Sequence, residues 1–551
     1  MQGYEYLAKT LKGYGVTHVY YTQTIFRLAI NEMNKLGITS VLAHSENAAG
    51  YMADGYARAS GRPGICMSQS IGAANLLGGI HDAFLANSPV IALTGKKSPV
   101  YQYKNCYQES DHRLMYEGVT KFNAEMQDPQ QVGFLIRQAF REATTLKARP
   151  VHIDVPDFMG TALEMAEIKD GLFIDEMHMR YPSYRTPAEE GQVEKAAAAI
   201  GKAKKPVIVA GRGAAVSGAG SALYELAKKA DIPIVTSPDG KGLIDERDPL
   251  WAGIVGAYGI DCGNKTAKSA DLVIFVGTQT SDQTTSDWSM PARDVKVIHI
   301  DVDPTELGKN YPGTIGLLGD ARTIAEQLSA AASKATRPEW RAEVSGYVKA
   351  MEDEYNVLKA SDSIPMRPDR LCAELNKVLP DDAILVADTG FSAVWCASML
   401  RLKSTQSFYR AAGSLGWAFP AAMGAKCAVP DRPVICFAGD GAAYYHIAEM
   451  ETAVRKGIKT VTIVNNNQVL GQTSRGLRGI YKDNWNESAT HYTFAPVSFS
   501  KVAAEFGAFA LRVEDPAQVA AAVQKALDQD KPALIEVVTD KDAYVPPSLK
   551  A

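Results

Sequence analysis

Short runs that are apolar at every position recur along the chain, separated by stretches whose apolar residues return every three or four positions. The runs 64–67, 90–93, 207–210, 272–276, 297–300 and 434–438 predict strands, and the stretches between them predict helices. A strand that is apolar on both faces needs cover on both, the condition of a parallel sheet with helices above and below. The alternation therefore predicts an α/β fold of doubly wound parallel sheets. In such sheets ligands bind beyond the carboxyl ends of the strands, so chemistry is expected in the residues that follow each run.

One pattern occurs twice. Asp128-Pro129-Gln130-Gln131-Val132 opens a helical stretch that ends in Arg149-Pro150-Val151-His152-Ile153-Asp154-Val155. Asp515-Pro516-Ala517-Gln518-Val519 opens another, ending in Lys531-Pro532-Ala533-Leu534-Ile535-Glu536-Val537. Each reads as a capped helix feeding a buried strand. Either generic helix–strand units resemble one another by chance, or the first and last thirds are two copies of one α/β fold around a distinct middle third. Two polar, proline-bearing stretches, 179–187 and 361–365, read as linkers. At about 150 residues per domain, 551 residues allow three or four domains. The linkers favour three, over 1–180, 188–335 and 365–551.

Charge and cysteine usage narrow the setting. Lys and Arg number 58 against 62 Asp and Glu, a net charge of −4, so neither nucleic acid nor an anionic membrane is an expected partner. No run approaches ~18 uninterrupted apolar residues, so no membrane span is expected. The start, Met1-Gln2-Gly3-Tyr4-Glu5-Tyr6, has neither the basic nor the apolar region of a signal peptide. Seven scattered cysteines with no Cys-x-x-Cys pair fit a reducing cytoplasm and a role as small buried apolar residues.

The strand 434–438 runs into Gly439-Asp440-Gly441, and a second predicted strand, 460–464, delivers Asn465-Asn466-Asn467. Gly-Asp-Gly alone also fits an ordinary turn. An acid and an amide oxygen at adjacent strand ends form a hard, all-oxygen half-site, which suits magnesium when ligand phosphates complete the octahedron.

Gly439-Asp440-Gly441 followed by Asn466-Asn467 resembles the thiamine-diphosphate signature, and the likeness extends over nearly the whole chain. It resembles most the acetolactate synthase-like superfamily, which also holds pyruvate oxidases, benzoylformate-type decarboxylases and 2-hydroxyacyl-CoA lyases. That resemblance implies a pyrimidine-binding domain over 1–180, a central domain over 188–335 and a diphosphate-binding domain over 365–551. It assigns Mg2+ to Asp440, Asn467 and the carbonyl of Val469, with Gly439, Gly441 and Ala442 beside the diphosphate. His44-Ser45-Glu46-Asn47-Ala48-Ala49-Gly50 also matches. There Glu46 would hydrogen-bond N1′ of the aminopyrimidine and promote the tautomer that takes the proton from thiazolium C2. Without the resemblance, Glu46 reads equally as an acid favoured at a helix N-terminus.

Further positions follow the same pattern. Gly413-Ser414-Leu415-Gly416-Trp417 resembles the segment that bends the cofactor, with Leu415 under the thiazolium and the Gly413 carbonyl on the aminopyrimidine. Asp388-Thr389-Gly390-Phe391-Ser392 fits a diphosphate loop using Gly390 and Ser392, although an ordinary strand-to-helix turn reads the same way. The loop 68–75, with Ser70, Gly72 and Asn75, resembles the small-residue wall beside the cofactor. In Tyr107-Gln108-Glu109-Ser110-Asp111, Gln108 is the residue expected at the reacting carbonyl. His112 reads as a surface or structural histidine.

Two departures from the pattern and one further likeness bear on substrate and cofactors. Synthases carry a glycine-rich loop where this chain has Tyr20-Tyr21-Thr22-Gln23-Thr24-Ile25-Phe26, so an altered substrate pocket is expected. In the central domain Gly211, Gly213 and Asp301 fit an FAD or ADP site, but Thr278-Gln279 stands where synthases carry an arginine, which leaves FAD a candidate third cofactor. The region 471–481 resembles a lid, with Arg475 or Arg478 available to a substrate carboxylate. The function expected is a carboligase that decarboxylates a 2-keto acid and adds the carbanion/enamine to a second carbonyl. The alternatives are a 2-keto acid decarboxylase, a 2-hydroxyacyl-CoA lyase, or a C–C hydrolase of a diketone. The resemblance also implies a homodimer or homotetramer with each active site between subunits.

Overall fold

The computed structural model describes residues 1–23, 25–157 and 159–544. Thr24, in the departing loop, lies outside the described residues, as do Phe158 and 545–551.

Three six-stranded sheets follow one another along the chain, and every pairing within them is parallel. The first contains β1 (His18–Tyr21), β2 (Thr39–Leu42), β3 (Gly64–Gln69), β4 (Val90–Lys96), β5 (Phe122–Glu125) and β6 (Val151–Pro156). The second contains β7 (Pro206–Ala210), β8 (Ile234–Thr236), β9 (Trp251–Ile254), β10 (Leu272–Val276), β11 (Lys296–Asp301) and β12 (Ile315–Leu318). The third contains β13 (Ile384–Ala387), β14 (Ser407–Arg410), β15 (Val434–Gly439), β16 (Val461–Asn466), β17 (Phe509–Val513) and β18 (Ala533–Val538). Helices flank all three. The central strands are buried at every position, as in Leu272–Val276, which is why their sequence shows no alternation.

The strand order of the first sheet is β2-β1-β3-β4-β6-β5, and that of the third is β14-β13-β15-β16-β18-β17. These are the same order, offset by twelve. The middle sheet runs β12-β11-β10-β7-β8-β9, a different topology. The repeated Asp-Pro pattern falls at equivalent places: Asp128 accepts from the Gln130 N–H and Asp515 from the Ala517 N–H. The helices that follow, Val132–Thr144 and Val519–Leu527, feed β6 and β18. The repeat is thus one topology used twice.

The two copies meet through equivalent helices, Glu46–Ser60 and Ala418–Ala428. A Cβ on Gly55 would stand 1.9 Å from the Ala421 carbonyl oxygen, and one on Gly424 would stand 1.9 Å from that of Met52. The helices therefore touch backbone to backbone, and only glycine fits at either contact. Beside this contact lies a buried polar cluster. Arg58 donates to Asp54 at 2.9 and 2.5 Å and lies 4.3 Å above the Trp417 ring, whose Nε1 donates to Asp54 at 2.9 Å.

Candidate active site

The residues singled out above in the first and third sheet regions close or follow the carboxyl ends of β2, β3, β4, β13, β14, β15 and β16. These ends flank the points where strand order reverses in the two equivalent sheets.

Glu46 is the first residue of its helix, half-buried, after Ser45 in extended backbone. Its Oε2 accepts from Asn75 Nδ2 at 3.3 Å. Gly72 is what makes room for it, since a Cβ there would meet Glu46 Oε1 at 2.9 Å and Ser68 Oγ at 2.3 Å. Ser70 has φ +40° and its hydroxyl donates to the Gln108 carbonyl, while Gln108 is itself held at φ +58°. Two uncommon backbone conformations thus brace each other. Gln108 Oε1 is buried without a partner, as are Ser68 Oγ, Gln69 Oε1 and Thr22 Oγ1. Acceptors and hydroxyls left this way at strand ends await a ligand or water. In the altered loop, Ile25 and Phe26 are fully buried in the core, so part of its added bulk is packing rather than pocket lining.

Asp440 opens the helix Asp440–His446, 2% exposed. Its carboxylate accepts from the N–H groups of Gly441 at 2.6 Å and Asn467 at 3.0 Å. Gln468, at φ +60°, turns the chain so that the Val469 N–H reaches Asn467 Oδ1 at 3.3 Å. The Asp440 carboxylate therefore meets the tight turn of Asn467 to Val469. Burial pushes the Asp440 carboxyl up to about 6 against the pull of these N–H bonds. The predicted strand 460–464 is β16, which starts one residue later and ends two residues later, so Asn465 and Asn466 belong to the sheet. Asn465 accepts from the Thr539 hydroxyl at 2.6 Å and Asn466 donates to Glu536 at 2.9 Å. Of the asparagine run, only Asn467 turns to Asp440.

Gly439 lies 3.4 Å, at its would-be Cβ, from Ser392 Oγ, which places the loop after β13 beside the one after β15. Gly390 has φ +65° and opens the helix Phe391–Met399. A Cβ on Gly441 would strike Leu470 at 2.6 Å, and Ala442 is buried beside it. Gly413 is exposed, with nothing within 4 Å of a would-be Cβ, and Leu415 is half-buried. Gly413 thus faces open space. Arg478 is engaged by Asp542 and lies 5.0 Å from the Tyr544 ring, which ties the lid-like helix Gly471–Tyr481 to the end of the chain.

Sequence reasoning missed several buried polar residues. His112 is fully buried rather than superficial: its Nδ1 meets Asp154 at 3.0 Å, and Asp154 also accepts from Thr94 at 2.7 Å. Asp388 was read only as part of a loop. It accepts from the N–H groups of Gly416 at 3.0 Å and Ala418 at 2.8 Å, and burial pushes it up to about 7. Among the described residues no cluster of three His, Cys, Asp or Glu side chains suits a metal, and no helix is long and apolar enough to cross a membrane.

His446 carries a pH prediction. Its ring is buried, its Nε2 has no partner, and burial pushes it down from 6.5 to about 4. The unfolded chain takes up this proton first. The contribution to stability is therefore whole above pH 6.5 and is lost as pH falls towards 4. Replacing His446 by Phe is expected to flatten that acid limb by up to about 3 kcal/mol, read from melting midpoints across the range. Parallel pH profiles for both proteins would rule this out.

Three family models match the chain, one to each sheet region. They are thiamine pyrophosphate enzyme N-terminal TPP binding domain over 1–115, central domain over 193–328, and C-terminal TPP binding domain over 388–537. The chain is 32% identical to the probable acetolactate synthase large subunit of Methanocaldococcus jannaschii over 565 residues, covering 99% of this chain and 93% of that protein. It is 32% identical to the protein of the same description from Methanococcus aeolicus, covering 93% and 88%. With the acetolactate synthase isozyme 1 large subunit of Escherichia coli it shares 30% identity, again covering 93% and 88%.

Proposed function

The chain belongs to the acetolactate synthase-like family of thiamine-diphosphate enzymes, and we propose that it decarboxylates a 2-keto acid and adds the remaining acyl unit to a second carbonyl compound. The observation that carries this reading is a pair of half-sites on sheets of one topology: Glu46, given room by Gly72, and Asp440 with the turn of Asn467 to Val469.

The second half-site suits a divalent cation. A buried acid beside an amide oxygen and a turn of backbone is an all-oxygen donor set of the kind magnesium takes when phosphates supply the rest. Asp440, Asn467 and the Val469 carbonyl would hold Mg2+, and Gly390, Ser392, Gly439, Gly441 and Ala442 would border the diphosphate. The Gly413 carbonyl would accept from the aminopyrimidine amino group, and Leu415 would pack beneath the rings. When bound, thiamine diphosphate supplies a carbon acid whose conjugate base adds to carbonyl carbon and whose ring takes the electron pair released on decarboxylation. Glu46 would hold a proton at N1′, with Asn75 fixing Glu46 and Ser70 fixing the backbone of Gln108, and the buried, unpartnered Oε1 of Gln108 would be available to the substrate.

The central sheet offers a nucleotide site of mixed quality. Gly211 and Gly213 serve the chain's own packing, because a Cβ on either would collide with Thr278 or Gly277 at 2.3 or 2.8 Å. In favour of a phosphate-bearing group, Arg212 Nε and Nη2 are buried without partners in the wall of a cavity of about 370 Å³ that Gln279 and Asp301 also line. We assign FAD or ADP to this cavity on that basis.

A second copy of the chain is expected to complete each site. Among the described residues, no hydrogen bond or ion pair joins Glu46, Asn75 or Gln108 to Asp440, Asn467 or Gly413. Exposed apolar side chains adjoin both half-sites in sequence, including Ile71, Tyr107, Tyr444 and Tyr445. The same argument holds for a dimer or for a tetramer of dimers. Seven unpaired cysteines favour a reducing cytoplasm.

The test is a product assay with pyruvate alone and with a second 2-keto acid as acceptor. A carboligase yields carbon dioxide and a branched 2-hydroxy-3-oxo acid, and the acceptor changes the product formed. Release of aldehyde alone, or no consumption of pyruvate, would overturn the carboligase reading.

A further inference from the structure

The segment 412–418 links β14 to the helix Ala418–Ala428, and it carries both Gly413 and Leu415. Trp417 anchors the end of the segment in the core, but 412–416, with two glycines, has wide backbone freedom and needs outside partners to take one shape. Those partners are two buried carboxylates. Asp82, 1% exposed, accepts from the N–H groups of Ala412 at 3.1 Å, Gly413 at 3.0 Å and Ser414 at 2.8 Å. Asp388, 0% exposed, accepts from Gly416 at 3.0 Å and Ala418 at 2.8 Å. Five of the seven backbone N–H groups of the segment are thus held by two side chains.

Asp388 belongs to the same sheet region as the segment, but Asp82 does not. It sits near the end of the helix Ile71–Leu85, packed on the first sheet, and is 330 residues distant from Ala412. Three converging N–H groups call for an acceptor with two oxygens and several lone pairs, which only a carboxylate supplies. The buried charge is offset by Arg58, whose Nη2 stands 3.6 Å from Asp82. The same helix bears Asn75, the partner of Glu46. Seven residues separate Asn75 from Asp82, so they share one helix face about 10 Å apart.

We propose that Asp82 is a positioning residue for the cofactor: it sets the shape of the segment 412–414 from the first domain of the same chain, and so fixes where the Gly413 carbonyl and Leu415 stand. This rests on the reading that Gly413 and Leu415 contact thiamine diphosphate. One helix then tethers Glu46 at its start and the cofactor-bending segment near its end. A shift of that helix moves both groups together.

The experiment compares the parent, Asp82→Asn, Asp82→Ala and Asp440→Asn. Each is measured for thiamine-diphosphate affinity with Mg2+ by calorimetry on the apoprotein, for melting temperature, and for kcat and KM. Asp82→Asn keeps one acceptor oxygen on the same frame and is expected to weaken binding about tenfold; Asp82→Ala removes all three bonds and is expected to weaken it about a hundredfold. In Asp82→Asn, kcat at saturating cofactor falls while KM for the keto acid stays within about twofold. A purely structural role would lower melting temperature in both variants and leave cofactor affinity of the folded protein unchanged. Should Asp82→Ala fail to fold, Asp82→Asn decides. Folded Asp82→Asn with affinity within about twofold of the parent overturns the proposal. Asp440→Asn separates the premise: if it too binds like the parent, the reading of the cofactor site fails, and if it alone loses binding, only the role of Asp82 does.

Discussion

Glu46→Gln is expected to leave the fold intact and to reduce turnover by about 10²–10⁴-fold, the range over which a positioned proton-transfer group contributes. The substitution is nearly isosteric. The space cleared by Gly72 still fits the side chain, and the amide oxygen can still accept from Asn75 Nδ2. What goes is the carboxylate, the only acid at this end of its helix's first turn. An amide neither shares a proton with N1′ nor carries the charge that favours a proton there. Because Glu46 is half-buried, melting temperature should barely move, as for most partly exposed isosteric changes. Binding of thiamine diphosphate should hold within about tenfold, since the diphosphate and metal contacts lie on other residues. Near-normal turnover in a folded, cofactor-loaded variant would remove Glu46 from the mechanism.

The fold was legible because its signal is local. A strand such as Leu272–Val276 declares itself by being apolar at every position, and the structure places its bounds at the predicted residues. The twofold use of one topology was visible in the Asp-Pro helix starts at 128 and 515, since capping chemistry is confined to a few consecutive residues. Strand ends were less legible. The asparagine run was read as a loop following 460–464, but β16 extends through Asn466, because Thr539 and Glu536 satisfy Asn465 and Asn466 from the neighbouring strand. A polar residue ends a strand only when its side chain finds no partner within the sheet, and that partner lay some 70 residues further on.

The candidate site shows the same division. Asp440, Asn467 and Glu46 could be singled out because each stands within three residues of a predicted strand and within a motif that resembles the family's. The residues that hold the segment 412–418 could not. Asp82 lies in a helix otherwise rich in Gly, Ala and Leu, and nothing within that helix says that its partners are the N–H groups of 412–414. An acid in a strongly apolar helix is the one signal that pointed there, because a buried carboxylate must be paired. For His112 the choice between a surface and a structural place stayed open in the sequence for a related reason. Its surroundings in sequence, Asp111 and Arg113, are polar, while its partner Asp154 arrives from β6.

Asp440→Asn is expected to abolish most of the stabilisation that cofactor and magnesium confer while leaving the apoprotein nearly as stable as before. Two effects oppose each other in the apo state. Removing a buried charge relieves the burial that pushes this acid up to about 6, whereas the amide NH2 faces one of the two N–H groups, of Gly441 or Asn467, that the carboxylate accepts from. Their difference should shift apo stability by no more than about 1–2 kcal/mol. In the loaded state nothing compensates. A neutral oxygen in place of the anion weakens the hold on a hard dication, and with it the hold on the diphosphate that shares it. Ligand at a hundred times its dissociation constant stabilises a protein by about 2.7 kcal/mol, and a hundredfold loss of affinity cuts that to about 0.4 kcal/mol. Melting the parent and the variant with and without thiamine diphosphate and Mg2+ reads this directly, with no dependence on turnover. An undiminished ligand-induced shift in the variant would move the metal away from Asp440.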